Sequence, residues 1–250
     1  MTKRLGIAAA LCFWFAWSAA DAVDCAPVQF RDKRYTVCQV DLVRERLQLF
    51  LRDGTGEPFK GFKALDGYLR PRGEELHFAM NGGMYHPDYS PVGLYVAEGD
   101  ELAPLNTAPA AGVNFLLKPN GVFYVTDKGA GILTTEAYAQ AGIKPRLATQ
   151  SGPMLVIDGK LHPRFLPDSD SLRVRNGVGI VTPQRVVFAI SDSSVNFHEF
   201  ALLFRDYLHC RDALFLDGSI SSLYSAQLQR DDELRPLGPI IAVTRSAKLP

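Results

Sequence analysis

Short apolar runs that end at turn-forming residues recur along most of this chain. One run carries Leu47, Leu49 and Leu51 in strict alternation before Asp53-Gly54, and another covers residues 35–43. A period of two is typical of a strand that buries one face, whereas a helix repeats its apolar residues every three to four positions. The chain is therefore predicted to fold mainly as strands that pair with their neighbours in sequence.

Several turns predict individual hairpins. Asp158-Gly159 separates residues 154–157 from residues 160–162, and Pro183-Gln184 separates residues 177–182 from residues 186–191. Pro119-Asn120-Gly121 separates residues 113–117 from residues 122–125. Because Asp-Gly and Asn-Gly favour tight hairpin turns, we expect antiparallel pairing across these turns.

Helical spacing is confined to a few segments. Between residues 196 and 208 the apolar residues recur at helical intervals behind Asn196, a plausible N-cap. Shorter helices are predicted over residues 135–141 and within residues 61–69. Together with the 47% hydrophobic content, these patterns predict an α+β fold, a single domain of mostly antiparallel or mixed β-sheet built from hairpins with a few packed helices.

The N-terminus predicts export. Lys3 and Arg4 precede an apolar run over residues 5–17, and small residues then lead to Ala20-Asp21-Ala22. This is the layout of a secretory signal peptide, and the run is shorter than the ~20 residues of a membrane helix. We expect residues 1–22 to be a signal peptide and the remainder to be periplasmic or secreted, with no membrane span after cleavage. A retained anchor is the alternative.

Three cysteines follow the predicted signal peptide. A two-residue loop at Arg31-Asp32 would place Cys25 opposite Cys38, a geometry that suits a disulfide in an oxidising compartment. Cys210 would then be an unpaired, buried thiol.

The charge balance bears on whether the chain binds nucleic acid or membranes. The chain carries 27 basic and 27 acidic residues without a basic block, so neither nucleic acid nor an anionic membrane is indicated as a partner.

Asn81-Gly82-Gly83 follows an apolar run and precedes His86 and two prolines. Glycines let backbone amides approach a ligand and prolines stiffen a loop, so this segment is a candidate binding loop. A wide hairpin turn explains the same residues equally well.

A second polar turn, Asp217-Gly218-Ser219, ends the apolar run at residues 213–216. Its carboxylate would emerge among hydroxyls and free amides that suit an anion or a sugar, although a capping Asx turn is the commoner role of Asp-Gly. Ser151 precedes Gly152-Pro153, which would fix the direction of the serine hydroxyl toward a substrate oxygen. A plain turn is the alternative reading of this segment.

Further charged candidates lie between these turns. Arg173 and Arg175 are two apart and would share one strand face, where they could grip a phosphate or simply be surface arginines. Asp192 ends another apolar strand, and Glu199 lies in the first turn of the predicted long helix, where compensation of the helix dipole also favours it. The sequence has no structural-zinc spacing and no dinucleotide-binding loop.

Four segments of the chain, in their order along the sequence, resemble the motifs of the phosphodiester glycosidase family. They are Asn81-Gly82-Gly83, Ser151-Gly152-Pro153, residues 175–179 (RNGVG) and Leu216-Asp217-Gly218-Ser219. That family includes lysosomal N-acetylglucosamine-1-phosphodiester alpha-N-acetylglucosaminidase, and the chain looks closest to its compact exported bacterial branch. The resemblance implies a catalytic domain over residues 76–250, preceded by an N-terminal β segment over residues 23–75. Ser219 stands where the family usually has glycine.

The resemblance implies hydrolysis of a sugar-1-phosphodiester at the glycosidic C–O bond. A phosphate monoester leaves readily, so an aimed water and charge stabilisation matter more than a strong acid. Asp217 would act on the water or the oxocarbenium ion and Arg175 on the phosphate, with Glu199 and Asp192 as further catalytic candidates. The expected substrate contacts are Asn81, Gly82, Gly83, His86, Ser151, Gly152, Arg173, Gly218 and Ser219.

Two other functions remain open from the sequence. A non-catalytic exported protein that binds a carbohydrate or polysaccharide would keep an aromatic polar cleft around Tyr85, Tyr89 and Tyr224. A metal-dependent phosphodiesterase would need Asp192 and Asp217 around one ion. No cofactor is certain, and a divalent cation is compatible with the pattern.

Overall fold

The computed structural model describes residues 23–109, 114–232 and 235–247 of the chain. The predicted signal peptide at residues 1–22 lies outside the described residues. Within the described part, no helix combines the length and the apolar character needed to cross a membrane.

The described residues form seventeen strands. In chain order they are β1 (Val23–Phe30), β2 (Lys33–Asp41), β3 (Leu47–Phe50), β4 (Glu74–Asn81), β5 (Tyr95–Ala97), β6 (Asp100–Ala103), β7 (Gly121–Thr126), β8 (Gly129–Thr134), β9 (Leu147–Ser151), β10 (Met154–Ile157), β11 (Lys160–Leu161), β12 (Asn176–Thr182), β13 (Arg185–Ser191), β14 (Asp212–Asp217), β15 (Leu223–Ser225), β16 (Arg230–Asp231) and β17 (Ile240–Ser246).

The strands build three sheets. A seven-stranded sheet has the order β1-β2-β13-β12-β14-β10-β11, and two five-stranded sheets have the orders β16-β15-β4-β17-β3 and β6-β5-β9-β7-β8. All pairings between these strands are antiparallel. With the helices described next, this confirms the predicted α+β class.

Three α-helices are present in the described residues. They are α1 (Phe62–Leu69), α2 (Thr135–Ala141) and α3 (Phe197–Leu202), and α3 continues as a π-helical turn over Leu203–Tyr207. Short 3-10 turns cover Arg70–Arg72 and Asn114–Leu116. The helices predicted from apolar spacing are confirmed, including Asn196 as the N-cap of α3.

Two predicted hairpins are confirmed, because β10 pairs with β11 and β12 pairs with β13. The hairpin across Pro119-Asn120-Gly121 is wrong: β7 pairs instead with β8, through the turn at Asp127-Lys128. The Asn120 side chain explains the difference, since it donates to the Phe115 carbonyl at 2.8 Å and accepts from the Thr135 hydroxyl at 2.8 Å. It therefore fixes a loop; residue 113 of the predicted partner strand lies outside the described residues.

The three sheets meet around Phe188 of β13. Its ring lies 5.1 Å from that of Phe78 in β4 and 6.2 Å from that of Phe123 in β7, measured between centroids. Each ring is completely buried, and burial of such a side chain stabilises a fold by about 1.5–3 kcal/mol. This aromatic contact joins one strand from each sheet, so the sheets share a common core.

The N-terminal segment is integrated into these sheets. β2 pairs with β13, for example Val40 with Val186, although these strands lie about 150 residues apart in sequence. β3 pairs with β17. A disulfide links Cys25 to Cys38, which face each other across the β1–β2 hairpin with their Cα atoms 4.0 Å apart. Cys210 is a buried free thiol.

Candidate active site

Strand ends from all three sheets converge at one place. β4 ends at Asn81, β9 ends at Ser151, β12 begins at Asn176 and β14 ends at Asp217. Asn176 and Asp217 are direct partners in the sheet register. The motifs that the sequence places far apart therefore meet at one buried place in the structure.

A buried hydrogen-bonded group, here called the amide hub, ties these ends together. It comprises Asn81, Asn176, Ser222 and the backbone of Asp217. Asn176 donates from Nδ2 to the Asn81 side-chain oxygen at 2.9 Å and accepts at Oδ1 from the Asp217 N–H at 3.0 Å. Asn81 Oδ1 also accepts from the Ser222 N–H at 2.9 Å. Both asparagines are fully buried, so each side chain is fixed by its partners.

The amide hub forms the floor of the site. The serine and glycines of the other motifs support this floor through close backbone contacts. Ser151 donates its hydroxyl proton to the Leu216 carbonyl at 2.9 Å, and Thr149 donates to the Gly82 carbonyl at 2.7 Å. Gly83 has a φ of +155°, and a Cβ there would lie 2.8 Å from Thr149 Oγ1. A Cβ on Gly152 would lie 2.5 Å from the Cβ of Asn120. Glycine is therefore required at both positions.

A cavity of about 810 Å³ opens above this floor. Asp217, His86 and Ser219 provide side chains with catalytic or hydrogen-bonding capacity, whereas much of the remaining wall is apolar. The lining residues are Met84, Tyr85, His86, Pro87, Val92, Asn114, Phe115, Asp217, Gly218, Ser219 and Ile220.

Asp217 is the carboxylate of this cavity. Its Oδ1 accepts hydrogen bonds from the N–H groups of Ser219 at 2.6 Å and Ile220 at 3.3 Å. Burial raises the pKa of Asp217, and the amide hydrogen bonds oppose that rise without cancelling it. The Asx-type turn considered from the sequence is therefore present, and the same carboxylate also borders the cavity.

Arg175 lies directly behind this turn. Its Nε donates to the Val195 carbonyl at 3.0 Å, its Nη2 donates to the Ser171 carbonyl at 2.7 Å, and its guanidinium carbon lies 3.6 Å from the Phe197 ring centroid. Nη1 is buried with no hydrogen-bond partner among the described residues. Burial, with a smaller contribution from Arg173, lowers the pKa of Arg175 to about 10.

Gly218 connects the buried cation to the cavity. It lines the cavity, and a Cβ on it would lie 3.6 Å from Arg175 Nη1. A positive charge with a free donor thus lies next to the wall of the cavity, where a desolvated charge acts more strongly than it would in water.

Three other predicted site residues lie outside the cavity lining. Arg173 is exposed and donates to the carbonyl of its neighbour Leu172 at 2.7 Å. Asp192 forms an ion pair with Arg230 at 3.1 Å. Glu199 forms the capping box of α3, where its carboxylate accepts from the Asn196 N–H at 3.1 Å. In the residues described, no three His, Cys, Asp or Glu side chains come together as a metal site.

Two aromatic side chains, Tyr85 and Phe115, line the cavity, and Tyr85 also stacks on Tyr89. The Tyr85 and Tyr89 rings stack with centroids 5.5 Å apart and planes within 9° of parallel. Tyr85 donates its hydroxyl proton to the Pro236 carbonyl at 2.6 Å. Burial, reinforced by the Asp217 charge, raises the pKa of Tyr85. The stack is therefore held in place from the segment that precedes β17.

Sequence reasoning missed some residues of this region. Asn176 is the centre of the amide hub, and its position beside Arg175 in one motif was the available signal. Asn114 and Phe115 line the cavity from a 3-10 turn between the first and second motifs, and nothing in their local sequence marks them.

The fold is found in solved structures. The catalytic domain of zebrafish N-acetylglucosamine-1-phosphodiester alpha-N-acetylglucosaminidase, auto-inhibited by its pro-peptide, superposes with a TM-score of 0.62 at 11% identity, covering 90% of this chain and 84% of that one. A putative exported protein of Burkholderia pseudomallei K96243 superposes with a TM-score of 0.52 at 13% identity, covering 84% of this chain and 74% of that one.

Sequence comparison adds the family. The chain is 36% identical over 222 residues to the uncharacterized protein YigE of Escherichia coli K12, covering 89% of this chain and 85% of that protein. Residues 74–244, which include the four motifs, match the family described as phosphodiester glycosidase. This match supports phosphodiester glycosidase activity in general. The chain belongs to the phosphodiester glycosidase family.

Proposed function

We propose that this protein hydrolyses a sugar-1-phosphodiester at the glycosidic C–O bond in an envelope or extracellular glycan. The observation that carries the proposal is the position of the Asp217 carboxylate in a large cavity, beside a glycine that has the Arg175 guanidinium directly behind it. A carboxylate suits the cationic sugar of the transition state, and a nearby guanidinium suits the departing phosphate.

The reaction requires one bond to break and one to form at the anomeric carbon. The glycosidic C–O bond breaks and its electron pair leaves with the phosphate monoester, while a water oxygen bonds to the anomeric carbon and releases a proton. Asp217 is the only carboxylate among the lining residues that the structure describes, so we assign it to orienting that water or stabilising the oxocarbenium ion. His86 lines the same cavity and is the candidate for the second proton-transfer role.

Arg175 would act on the phosphate without being exposed. Its guanidinium is held by the Val195 and Ser171 carbonyls, which leaves its charge and Nη1 to stabilise negative charge near Gly218. Gly218 and Ser219 would contact the substrate from the cavity wall. Asn81, Gly82, Gly83, Ser151 and Gly152 would position that wall, and Arg173 would add positive charge from outside.

Export to the periplasm or beyond is part of the proposal. The basic, apolar and small-residue layout of residues 1–22 supports it. The similar Burkholderia pseudomallei protein is itself described as a putative exported protein.

A non-catalytic carbohydrate-binding function is the second candidate. The Tyr85 and Phe115 rings that line the cavity favour it, because sugar rings pack on aromatic faces. Such a protein would bind the glycan without needing the buried carboxylate. The metal-dependent phosphodiesterase has less support, since Asp192 forms an ion pair with Arg230 and does not line the cavity with Asp217.

Turnover of a panel of sugar-1-phosphodiesters in ¹⁸O-labelled water, with and without a chelator, tests the proposal. We expect label in the released sugar, and a fall in kcat of about 10³-fold or more in Asp217→Asn. Asp100→Asn on exposed β6 is the matched control and should retain wild-type turnover. Label in the phosphate would contradict the glycosidic cleavage, and binding without turnover would favour the second candidate.

A further inference from the structure

A second cavity of about 490 Å³ lies beside the Tyr85–Tyr89 pair, which contacts its lining residues Pro236 and Lys60. Its lining includes Lys60, Lys63, Asp232, Arg235 and Pro236. None of these residues belongs to the motifs that define the candidate active site. The feature that distinguishes this cavity is its charge.

Three cations, Lys60, Lys63 and Arg235, line the cavity beside a single carboxylate, that of Asp232. Asp232 is already engaged, because Arg230 approaches its two oxygens at 3.1 and 2.9 Å and the Leu223 N–H donates to it at 3.0 Å. Among the residues that the structure describes, no carboxylate forms an ion pair with any of the three lining cations. Counted over its described lining residues, the cavity therefore has an excess of positive charge that suits an anion.

The second cavity shares a wall with the first. Tyr85 lines the candidate active site, and its hydroxyl donates to the carbonyl of Pro236, which lines the second cavity. On the other side of the stack, the Lys60 ammonium lies 5.1 Å from the centroid of the Tyr89 ring. Arg235 is also close enough for its charge to act on Tyr85. A series of contacts through Tyr89 and Tyr85 therefore links Lys60 to the cavity of Asp217.

We propose that the second cavity is a subsite for a further phosphate group of the same glycan chain. This inference rests on the proposed function: the scissile phosphodiester would lie beside Asp217, the saccharide would cross the Tyr85–Tyr89 rings, and Lys60, Lys63 and Arg235 would hold the next phosphate. The enzyme would accordingly prefer substrates that carry more than one phosphate over those with a single phosphodiester.

The test compares two triple variants that each remove three positive charges. Lys60→Gln/Lys63→Gln/Arg235→Gln neutralises the subsite, and Arg34→Gln/Lys144→Gln/Lys160→Gln neutralises exposed cations that line neither cavity. Calorimetric titration with inorganic pyrophosphate measures the site without catalysis. We expect the first triple to weaken pyrophosphate binding by about tenfold or more and the second to leave it within about twofold of wild type.

Kinetics then connects the site to the substrate. Two synthetic sugar-1-phosphodiesters with the same neutral aglycone are compared, one with an unmodified sugar and one whose sugar bears a second phosphate. The first triple should raise KM about tenfold for the doubly phosphorylated substrate alone, with kcat unchanged, because charge at a distant subsite affects binding rather than chemistry.

Each outcome bears on a different claim. Equal pyrophosphate binding by the two triples, or an equal loss of activity on both substrates, would overturn the subsite. Selective loss of pyrophosphate binding in the first triple supports the anion site even if neither substrate were hydrolysed. That absence of hydrolysis would contradict the proposed function instead.

Discussion

Asn176 holds the backbone of Asp217 by accepting its N–H at 3.0 Å, while the two residues face each other across β12 and β14. The same asparagine donates to Asn81 on a strand of another sheet. One fully buried side chain therefore fixes the base of the candidate catalytic carboxylate and joins two sheets.

Asn176→Ala should destabilise the protein and reduce activity together. It removes an acceptor and a donor and leaves the Asp217 N–H and the Asn81 Oδ1 short of partners, which costs about 2–4 kcal/mol of unfolding free energy. Urea unfolding measures the loss. Asn114→Ala, at an exposed residue of the cavity lining, is the control and should stay within about 0.5 kcal/mol of wild type. Equal stability of the two variants would contradict the role of the hub.

Arg175→Lys should lower both stability and kcat although it retains a positive charge. An ammonium lacks the planar fork that reaches the Val195 and Ser171 carbonyls and stacks on Phe197. We expect a loss of about 1–3 kcal/mol in unfolding free energy and about 10²-fold in kcat. Arg173→Lys, two residues away and exposed, should change stability by less than about 0.5 kcal/mol. If Arg175→Lys retained wild-type kcat, charge alone would be sufficient.

Asp217 should make stability depend on pH. Burial raises its pKa in the folded state above that of the unfolded chain, so its contribution is fully present below the unfolded pKa and is lost as pH rises through the folded pKa. Asp217→Asn removes this titration. The melting temperature of the variant minus that of wild type should therefore increase from acidic to neutral pH, as followed by circular dichroism. A constant difference over that interval would be inconsistent with a raised pKa.

The Cys25–Cys38 disulfide should stabilise the protein against unfolding. It closes a short loop, with a sequence separation of 13 residues, for which loop-closure entropy gives about 3 kcal/mol. Cys25→Ser/Cys38→Ser should lower the unfolding free energy by that order. Reductant should destabilise wild type and leave the double variant unchanged, which separates the bridge from the buried thiol of Cys210. A matching reductant effect in both proteins would contradict this assignment.

Local patterns predicted the elements better than their assembly. The Asp158-Gly159 turn and the Asn196 cap depend on nearby residues, so their sequences were sufficient. The pairing of β2 with β13 depends on packing between distant segments, and no local pattern encodes it. The Asn120 loop was mistaken for a hairpin because its side-chain partners, Phe115 and Thr135, belong to the tertiary structure.

For the candidate site as well, local sequence indicated the residue types but not which residues come together. The motifs identified Asp217, His86 and the two turn residues after Asp217 that line the cavity. The end of an apolar strand and the first turn of the predicted helix also suggested Asp192 and Glu199, which the structure places in an ion pair and a helix cap. A carboxylate's residue type cannot distinguish these roles, since they depend on which groups lie within hydrogen-bonding distance after folding.

The meeting of three sheets at Phe188 has a consequence for how the protein loses its structure. Because the rings of Phe78 and Phe123 both pack against the Phe188 ring, no sheet can open alone without exposing apolar surface of the others. The slowest-exchanging amide protons of the three sheets should therefore share one opening free energy, and the cavity should disappear in the same cooperative step rather than by fraying at its rim.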